Sequence, residues 1–384
     1  MRYASNARGP HTHCAWAFLA AALAACSADR PTAPVVRDRD ARATTVEASA
    51  EQARVVAWPL SNRFAYVWAD QPSAASYTPN PSFAYNATGG SIQITRHGNG
   101  RYEVAFNSPA GWTGTRLGFA VTAYGSSTLG CSLDWHSPSA QLVVRVNCYD
   151  RVTHLPADSR FTLLVVGSGS LQTRSAFAFA NEPSSPSYTP NPLASYTTGP
   201  GAMLITHLAL DGDYRVDLGT GNPAHSTFLV GEKYFYPGHL CTIRAWLTSS
   251  VGVRCFDDTG ALHDKHYWIL QVQGGRPGRR IGFAWANQPT AASYTPALNR
   301  SFNSSGGGIM VTRTGVGRYA IEFAGLQKLA GHTENVQVTP WGTGYSSCKV
   351  VGWGNSAAGL RVSAECRKLN GTFKDARFNV LVIE

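Results

Sequence analysis

The chain has 384 residues, of which 43% are hydrophobic and 15% are charged, and its formal net charge is +10. The low charged fraction argues against a disordered polyelectrolyte or a long coiled coil, and Gly and Pro are too few for a collagen-like or low-complexity chain. A chain of this length has room for about two to three domains that each bury a core.

The first 25 residues have the organisation of a secretory signal. Arg2 and Arg8 precede an apolar run at residues 15–25, which is too short to cross a bilayer. The run ends in Leu-Ala-Ala-Cys at residues 23–26, which resembles the lipobox of bacterial lipoproteins. That resemblance implies cleavage before Cys26 and acylation of its thiol, so the membrane becomes a partner through the lipid anchor. A secreted protein whose cleavage site happens to precede a cysteine is the alternative.

Residues 26–60 combine this lipidated cysteine with a predicted tether. The stretch mixes Ala, Thr, Pro, Arg and Asp without helical or strand periodicity, and such a segment cannot bury enough apolar surface to offset its ordering entropy. Ser27 stands where an inner-membrane retention signal would have Asp. We therefore expect export and anchoring at the outer membrane or cell surface.

The rest of the chain contains three copies of one unit. Each copy starts with an aromatic strand ending in Ala-(Asp/Asn)-(Gln/Glu)-Pro, and continues through Ser-Tyr-Thr-Pro, Gly-x-Tyr and two cysteines. The period of about 105 to 113 residues is that of a domain and not of a solenoid repeat. We expect repeat 1 at residues 61–170, repeat 2 at 171–275 and repeat 3 at 276–384.

Within each copy the hydrophobic period is two. In repeat 3, residues 319–323 alternate and face residues 309–311 across a Gly-containing turn, which predicts a β-hairpin. The closing segments at 161–166 and 378–383 are apolar on both faces and predict central strands. With about seven or eight short strands per copy and no convincing helix, we expect an all-β fold of three tandem antiparallel β-sandwich or barrel domains. A six-bladed propeller, with two four-stranded blades per copy, is the alternative.

Six of the eight cysteines fall two per repeat, while Cys14 belongs to the signal. Their separations suit neighbouring antiparallel strands, and an exported protein forms disulfides. Two thiols per copy also lack the four ligands of a structural zinc site. The predicted pairs are Cys131–Cys148, Cys241–Cys255 and Cys348–Cys366.

Two sets of recurring residues are candidates for ligand binding. A polar set follows the first strand of each copy, where capping of a turn is the competing role. A tyrosine set could form a platform for sugar rings, joined by the first-strand aromatics Trp68, Phe179 and Trp285, although strand-borne aromatics usually belong to a core. The sets are Asp70, Asn181 and Asn287, and Tyr77, Tyr188 and Tyr294.

Repeat 2 departs most from its siblings and holds five of the eleven histidines. His239, His263 and His266 are candidates for metal ligands, with scattered solvent-facing histidines as the alternative. Asp211-Gly212-Asp213 looks like a calcium-loop fragment, but its place between two strands favours a hairpin turn. Motifs of hydrolases, zinc proteases, phosphate loops and EF-hands are missing, so we expect no cofactor and no enzyme activity.

Repeat 3 carries most of the positive charge of the mature chain. Outside the cytoplasm, envelope or extracellular polysaccharide, lipid phosphate and shed DNA are the anionic partners available. Solvated charge from an Arg-rich composition is the competing interpretation. The sequence predicts no specific nucleic-acid partner and says nothing of the oligomeric state.

Segments at 68–72, 76–79, 158–161 and 317–319 resemble a tandem β-repeat of exported proteins from high-GC soil bacteria. The resemblance covers residues 64–384, is weakest in repeat 2, and implies the fold class and the envelope setting but no catalytic residue. We therefore expect a lipid-anchored envelope protein for adhesion, glycan binding or scaffolding. An envelope enzyme or metal-binding protein with its site on repeat 2, and a purely structural component, are the alternatives.

Overall fold

A computed structural model describes residues 63–171, 173–221, 224–233, 237–275, 279–327 and 334–384. The predicted signal, Cys26 and the tether lie outside the described residues. Regular structure here is β-strand, with two short 3-10 helices at Pro81–Phe83 and Leu298–Arg300. In this part of the chain, no helix has the length and apolar character needed to cross a membrane.

Each repeat contains nine strands within the described residues, slightly more than expected. Those of repeat 1 are β1 (Phe64–Ala69), β2 (Ser76–Tyr77), β3 (Ala84–Asn86), β4 (Ile92–Gly98), β5 (Arg101–Asn107), β6 (Leu117–Tyr124), β7 (Leu129–Pro138), β8 (Gln141–Asp150) and β9 (Arg160–Gly167). Those of repeat 2 are β10 (Ser175–Ala180), β11 (Ser187–Tyr188), β12 (Ser195–Thr197), β13 (Leu204–His207), β14 (Asp213–Asp217), β15 (Ser226–Glu232), β16 (Leu240–Trp246), β17 (Val251–Phe256) and β18 (Tyr267–Gln273). Those of repeat 3 are β19 (Ile281–Ala286), β20 (Ser293–Tyr294), β21 (Ser301–Asn303), β22 (Ile309–Gly315), β23 (Arg318–Ala324), β24 (Asn335–Trp341), β25 (Ser347–Asn355), β26 (Gly359–Arg367) and β27 (Arg377–Ile383).

The nine strands of each repeat form two antiparallel sheets that share one core. In repeat 1 the four-stranded sheet has the order β3-β1-β9-β6 and the five-stranded sheet the order β2-β4-β5-β8-β7. Leu163 from the first sheet and Val144 from the second are both fully buried in that core. Repeats 2 and 3 keep the same order of equivalent strands. The all-β sandwich class is thus confirmed, and the propeller alternative does not describe the fold because the copies are not built from pairs of four-stranded blades.

Local predictions about strand pairing hold. In the β22–β23 hairpin, Ile309 lies opposite Phe323 and Val311 opposite Ile321. The closing strands β9 and β27 each lie between two neighbours of their own repeat, so they are central as expected. The disulfides are Cys131–Cys148, Cys241–Cys255 and Cys348–Cys366, which are the predicted pairs.

The closing strands are apolar on both faces because the four-stranded sheets bury both. Their inner faces belong to the sandwich cores, whereas Leu164, Leu270 and Leu381 on the opposite faces belong to a core that the three repeats share. Gly118 shows how closely the repeats approach, since a Cβ there would lie 2.5 Å from the Cγ of Phe177 in repeat 2. The three sandwiches are therefore packed against each other through apolar side chains.

Edge strands also join one repeat to the next. The edge of each five-stranded sheet runs parallel to the edge of a neighbour's four-stranded sheet, with β25 beside β6, β16 beside β24, and β7 beside the end of β15. The pairs in contact are Val350 with Tyr124, Ile243 with Trp341, and Leu133 with Lys233. These pairs occupy equivalent positions of the repeat, so the three sandwiches close into a ring with approximate threefold symmetry.

The recurring Gly-x-Tyr segment meets an aspartate that precedes the closing strand, and we call this contact the Asp clamp. In repeat 1, Asp158 Oδ1 accepts hydrogen bonds from the Gly100 N–H at 2.8 Å and the Tyr102 hydroxyl at 3.0 Å, while Arg96 donates from two nitrogens to the same carboxylate. Gly100 has a φ of 68°, and a Cβ there would lie 2.2 Å from the Cys148 carbonyl oxygen, so the position requires glycine. The clamp fixes the β4–β5 hairpin to the start of β9.

Candidate functional site

The recurring tyrosines are half-buried, and in repeats 1 and 3 their hydroxyls contact the turn that follows the first strand. The Tyr77 hydroxyl accepts from the Gln71 N–H at 3.3 Å, and the Tyr294 hydroxyl accepts from the Gln288 N–H at 3.1 Å. Burial raises the pKa of Tyr77 and of Tyr188 to about 12. Each tyrosine side chain packs against one of the hydrophobic cores, so the structure does not present the three tyrosines as a common exposed platform.

The recurring polar residues do not cap that turn through the expected oxygen. The Oδ1 atoms of Asp70, Asn181 and Asn287 are buried and accept no hydrogen bond from the described residues. An Asx turn binds the N–H two residues on, and that residue is Pro72 or Pro289, which has no N–H. In repeats 1 and 3 the tyrosine hydroxyl accepts instead from the N–H of the residue between them.

The first-strand aromatics lie at the junctions between repeats. Trp68 of repeat 1 packs against Trp353 of repeat 3 with ring centroids 5.9 Å apart, and Trp285 of repeat 3 packs against Trp246 of repeat 2 at 4.6 Å. Phe179 lies beside Lys233, at the junction of repeats 1 and 2. These aromatics are structural contacts of the ring.

The three histidines named as metal candidates do not gather into one set of ligand atoms among the described residues. His239 and His263 are neighbours, with ring centroids 5.8 Å apart, whereas His266 stacks on Phe179 at 6.1 Å. Burial, reinforced by the nearby Lys265 ammonium, lowers the pKa of His239 to about 4.

A different site lies on the outer face of the five-stranded sheet of repeat 1. No sequence motif indicated this site. The strand register places Glu103 of β5 opposite Arg145 of β8, and Arg145 opposite Trp135 of β7. Because Val144 and Val146, the neighbours of Arg145, point into the core, this row faces outward.

A β-bulge turns Trp135 outward. The register of β7 against β8 shifts between Leu133 and Trp135, which leaves Asp134 as the additional residue. Leu133 is 3% exposed, whereas Trp135, two residues later, is 43% exposed. An extra residue reverses the faces that simple alternation assigns, so the bulge delivers the indole to the surface.

Glu103 is held at the centre of the row. Its carboxylate accepts from Arg145 Nε at 2.6 Å and lies 3.0 Å from His97 Nε2, while the Arg145 guanidinium lies over the Trp135 ring at 5.0 Å. Burial alone would raise the pKa of Glu103, but the hydrogen bonds from Arg145 and His97 outweigh it and hold the pKa below its ordinary value. The carboxylate is therefore ionised and fixed in position.

The row borders a surface cleft of about 440 Å³, which we call the repeat 1 cleft. A cleft of this size falls in the range that binds small molecules or short oligomers. Hydrogen-bond donors, acceptors and charges of both signs line it. The lining includes Glu103, Arg145, His97, Arg101, Asp134 and Asn147.

The row belongs to repeat 1 and not to the repeated framework. In repeats 2 and 3 the same register positions hold residues that cannot build it. They are Arg215, Gly252 and Ala245 in repeat 2, and Ala320, Ser363 and Gly352 in repeat 3.

In repeats 2 and 3 the outer face of the five-stranded sheet is partly buried at one end. At that end it binds a turn of the neighbouring repeat. Lys349 Nζ donates to Ser127 Oγ at 2.6 Å, and Glu365 accepts from the Ser127 N–H at 3.1 Å. In the same way, Arg254 Nη1 donates to the Thr343 carbonyl oxygen at 3.1 Å. Burial lowers the pKa of Lys349 to about 7. These charges therefore serve the junctions between repeats.

The repeat 1 cleft is thus lined by charged and polar side chains and lies beside the exposed Trp135 ring, and the candidate residues from the sequence lie outside it. Comparison with protein-family models, with curated proteins and with solved structures found no match to this chain.

Proposed function

We propose that the protein is a lipid-anchored binding protein of the cell envelope whose repeat 1 cleft holds a segment of polysaccharide. The observation that carries this proposal is the outward row of Trp135, Arg145 and Glu103 beside a cleft of about 440 Å³. An exposed indole offers apolar surface to the C–H face of a sugar ring. A charged pair next to it offers charge-assisted hydrogen bonds to neighbouring hydroxyl groups.

The framework supports binding because the row is already ordered. Glu103 is restrained by Arg145 and His97, and the strands that carry the row belong to one continuous sheet. Side chains that are fixed before a ligand arrives lose little entropy on binding. A closed ring of three sandwiches then supplies a rigid support for one binding face.

The envelope setting rests on the lipobox-like residues 23–26 and on the three disulfides, which are typical of exported proteins. Metabolic labelling with a radioactive fatty acid tests the anchor. We expect label in the wild-type protein and none in Cys26→Ser, and label retained by the variant would contradict acylation at this thiol.

Binding is tested with a panel of immobilised soluble and insoluble polysaccharides, including glycans extracted from bacterial envelopes. We expect the mature protein to bind at least one of them, and Trp135→Ala to weaken that binding by about tenfold or more, as loss of an aromatic hot spot does.

Met310→Ala is the matched control, because Met310 is also 43% exposed but lies on the outer face of repeat 3. We expect it to bind as the wild type does. Absence of binding to every glycan, or equal binding by Trp135→Ala, would refute the proposal and favour a purely structural envelope role.

A further inference from the structure

The Asp clamp of repeat 2 differs from those of its siblings in the side chain that lies against the aspartate. In repeats 1 and 3 an arginine on the incoming hairpin strand donates to the clamp aspartate, with Arg96 on Asp158 and Arg313 on Asp375. The residue at the same register position in repeat 2 is His207, opposite Tyr214. Repeat 2 thus keeps the carboxylate and replaces the guanidinium by an imidazole.

The rest of the clamp is preserved in repeat 2. Asp264 Oδ1 accepts from the Gly212 N–H at 2.7 Å and from the Tyr214 hydroxyl at 2.9 Å, and it lies 2.8 Å from His207 Nε2. In repeat 1 the second oxygen of the aspartate, Oδ2, accepts from the guanidinium. In repeat 2 no hydrogen bond from the described residues reaches Oδ2 of Asp264. This leaves an oriented carboxylate oxygen where the siblings bind a cation.

A third potential ligand lies beside this carboxylate. Asp211 at the tip of the β13–β14 hairpin brings a carboxylate next to His207 and Asp264, and one ligand atom from each of the three lies within 4.8 Å of the others. Repeats 1 and 3 have Asn99 and Val316 before the equivalent glycine. The acidic residue and the imidazole therefore occur together in the repeat that lacks the arginine.

We propose that His207, Asp211 and Asp264 bind a divalent transition-metal ion that takes the place of the guanidinium in the Asp clamp of repeat 2. One imidazole nitrogen with two carboxylate oxygens is a donor set that suits Zn²⁺ and its neighbours in the first transition series. The His207 and Asp264 side chains are 18% and 21% exposed, and Asp211 is exposed, so solvent reaches the site and water completes the coordination. The ion stabilises the hairpin against the start of β18 as the arginine does in the siblings.

Isothermal titration of the metal-free mature protein with Zn²⁺ tests this proposal, and the siblings supply the variants. His207→Arg installs the side chain of repeats 1 and 3, and Asp211→Asn installs that of repeat 1. We expect the wild type to bind one Zn²⁺ per chain at this site, and each variant to lose about 100-fold in affinity, since loss of a ligand weakens binding at least as much as loss of an outer partner. Zn²⁺ should raise the melting temperature of the wild type but not that of His207→Arg.

The neighbouring pair of His239 and His263 is the competing zinc site, so His263→Ala is the control and should bind Zn²⁺ as the wild type does. Should His207→Arg fold poorly, Asp211→Asn alone decides, because its side chain is exposed at a turn. Absence of Zn²⁺ binding by the wild type, or unchanged affinity in Asp211→Asn, would overturn the proposal.

Discussion

The junction between repeats 1 and 2 is filled differently from the other two. Between repeats 2 and 3, Trp246, Trp285 and Trp341 pack together, with centroids of successive rings 4.6 and 5.0 Å apart. Between repeats 3 and 1 the equivalent positions hold Trp353, Trp68 and Tyr124. At the remaining junction the equivalent residues are His136, Phe179 and Lys233, so two ionisable groups replace two aromatic ones.

An aromatic residue from another position compensates at that junction. Trp268 of β18 packs against Phe119 at 5.2 Å, His136 at 5.7 Å and Phe179 at 5.0 Å. The equivalents of Trp268 are Thr162 and Asn379, whose side chains donate hydrogen bonds to backbone carbonyls of the neighbouring repeat. Two of the three junctions between repeats therefore combine a tryptophan-containing cluster with buried hydrogen bonds. The junction between repeats 1 and 2 combines the large Trp268 side chain with titratable groups.

Among changes at the junctions, we expect loss of a tryptophan to have the largest effect on stability. We expect Trp285→Ala to lower the free energy of unfolding by about 3–4 kcal/mol, because it leaves a cavity between two repeats. Phe179→Ala should cost about 2–3 kcal/mol, since the ring is smaller and Trp268 partly fills the site. Guanidinium unfolding measures both, and equal losses would show that the two junctions are energetically alike.

The disulfides lie close to the junctions, which allows a second test. Cys131 is two residues from Leu133, which pairs with Lys233 of repeat 2, and Cys348 is two residues from Val350, which pairs with Tyr124 of repeat 1. Replacing both cysteines of either pair by serine should cost about 3 kcal/mol by the chain-entropy argument. Hydrogen exchange should show more local opening at the nearest junction in Cys131→Ser/Cys148→Ser than in Cys348→Ser/Cys366→Ser. Equal opening would contradict the expectation that His136 and Lys233 make the junction of repeats 1 and 2 easier to open than an aromatic one.

Low pH is expected to act on the junction between repeats 1 and 2. Burial, together with the nearby Lys233 ammonium, lowers the pKa of His136 to about 4. An unfolded histidine has a pKa near 6.5, so between these values the unfolded state binds more protons and stability falls as pH falls. We expect this group to remove about 3 kcal/mol between pH 7 and pH 4.

His136→Phe should abolish that part of the pH dependence, as measured by unfolding at several pH values. His239, whose pKa burial also lowers to about 4, supplies a remainder that His136→Phe leaves in place. An unchanged slope in His136→Phe would exclude His136 as the source.

The features that could be predicted from the sequence are local. Alternation across a short turn defined the β22–β23 hairpin, and the cysteine spacing defined the disulfides, because both join residues that are near in the chain. Ring closure joins Val350 to Tyr124 through an edge strand, and no periodicity marks such a partner. The pattern within each repeat therefore predicted a domain, but it did not predict the contacts between domains.

The outward Trp135 beside the repeat 1 cleft was missed for a different reason. Alternation from Cys131 through Leu133 predicts an inward Trp135, and the bulge at Asp134 reverses that direction. Repeats 2 and 3 have the same register shift, between Ile243 and Ala245 and between Val350 and Gly352, but small residues follow it there. The bulge is therefore part of the repeat, and repeat 1 uses it to present an aromatic side chain.

Ring closure also bears on how such a protein can change over evolutionary time. In an open array, repeats can be gained or lost at an end because a terminal copy has one neighbour. Here every copy has two neighbours, and deletion of one would leave unpaired sheet edges and bare apolar faces, which favour aggregation. Three is thus a number that duplication and deletion cannot easily alter, whereas each copy remains free to acquire its own surface.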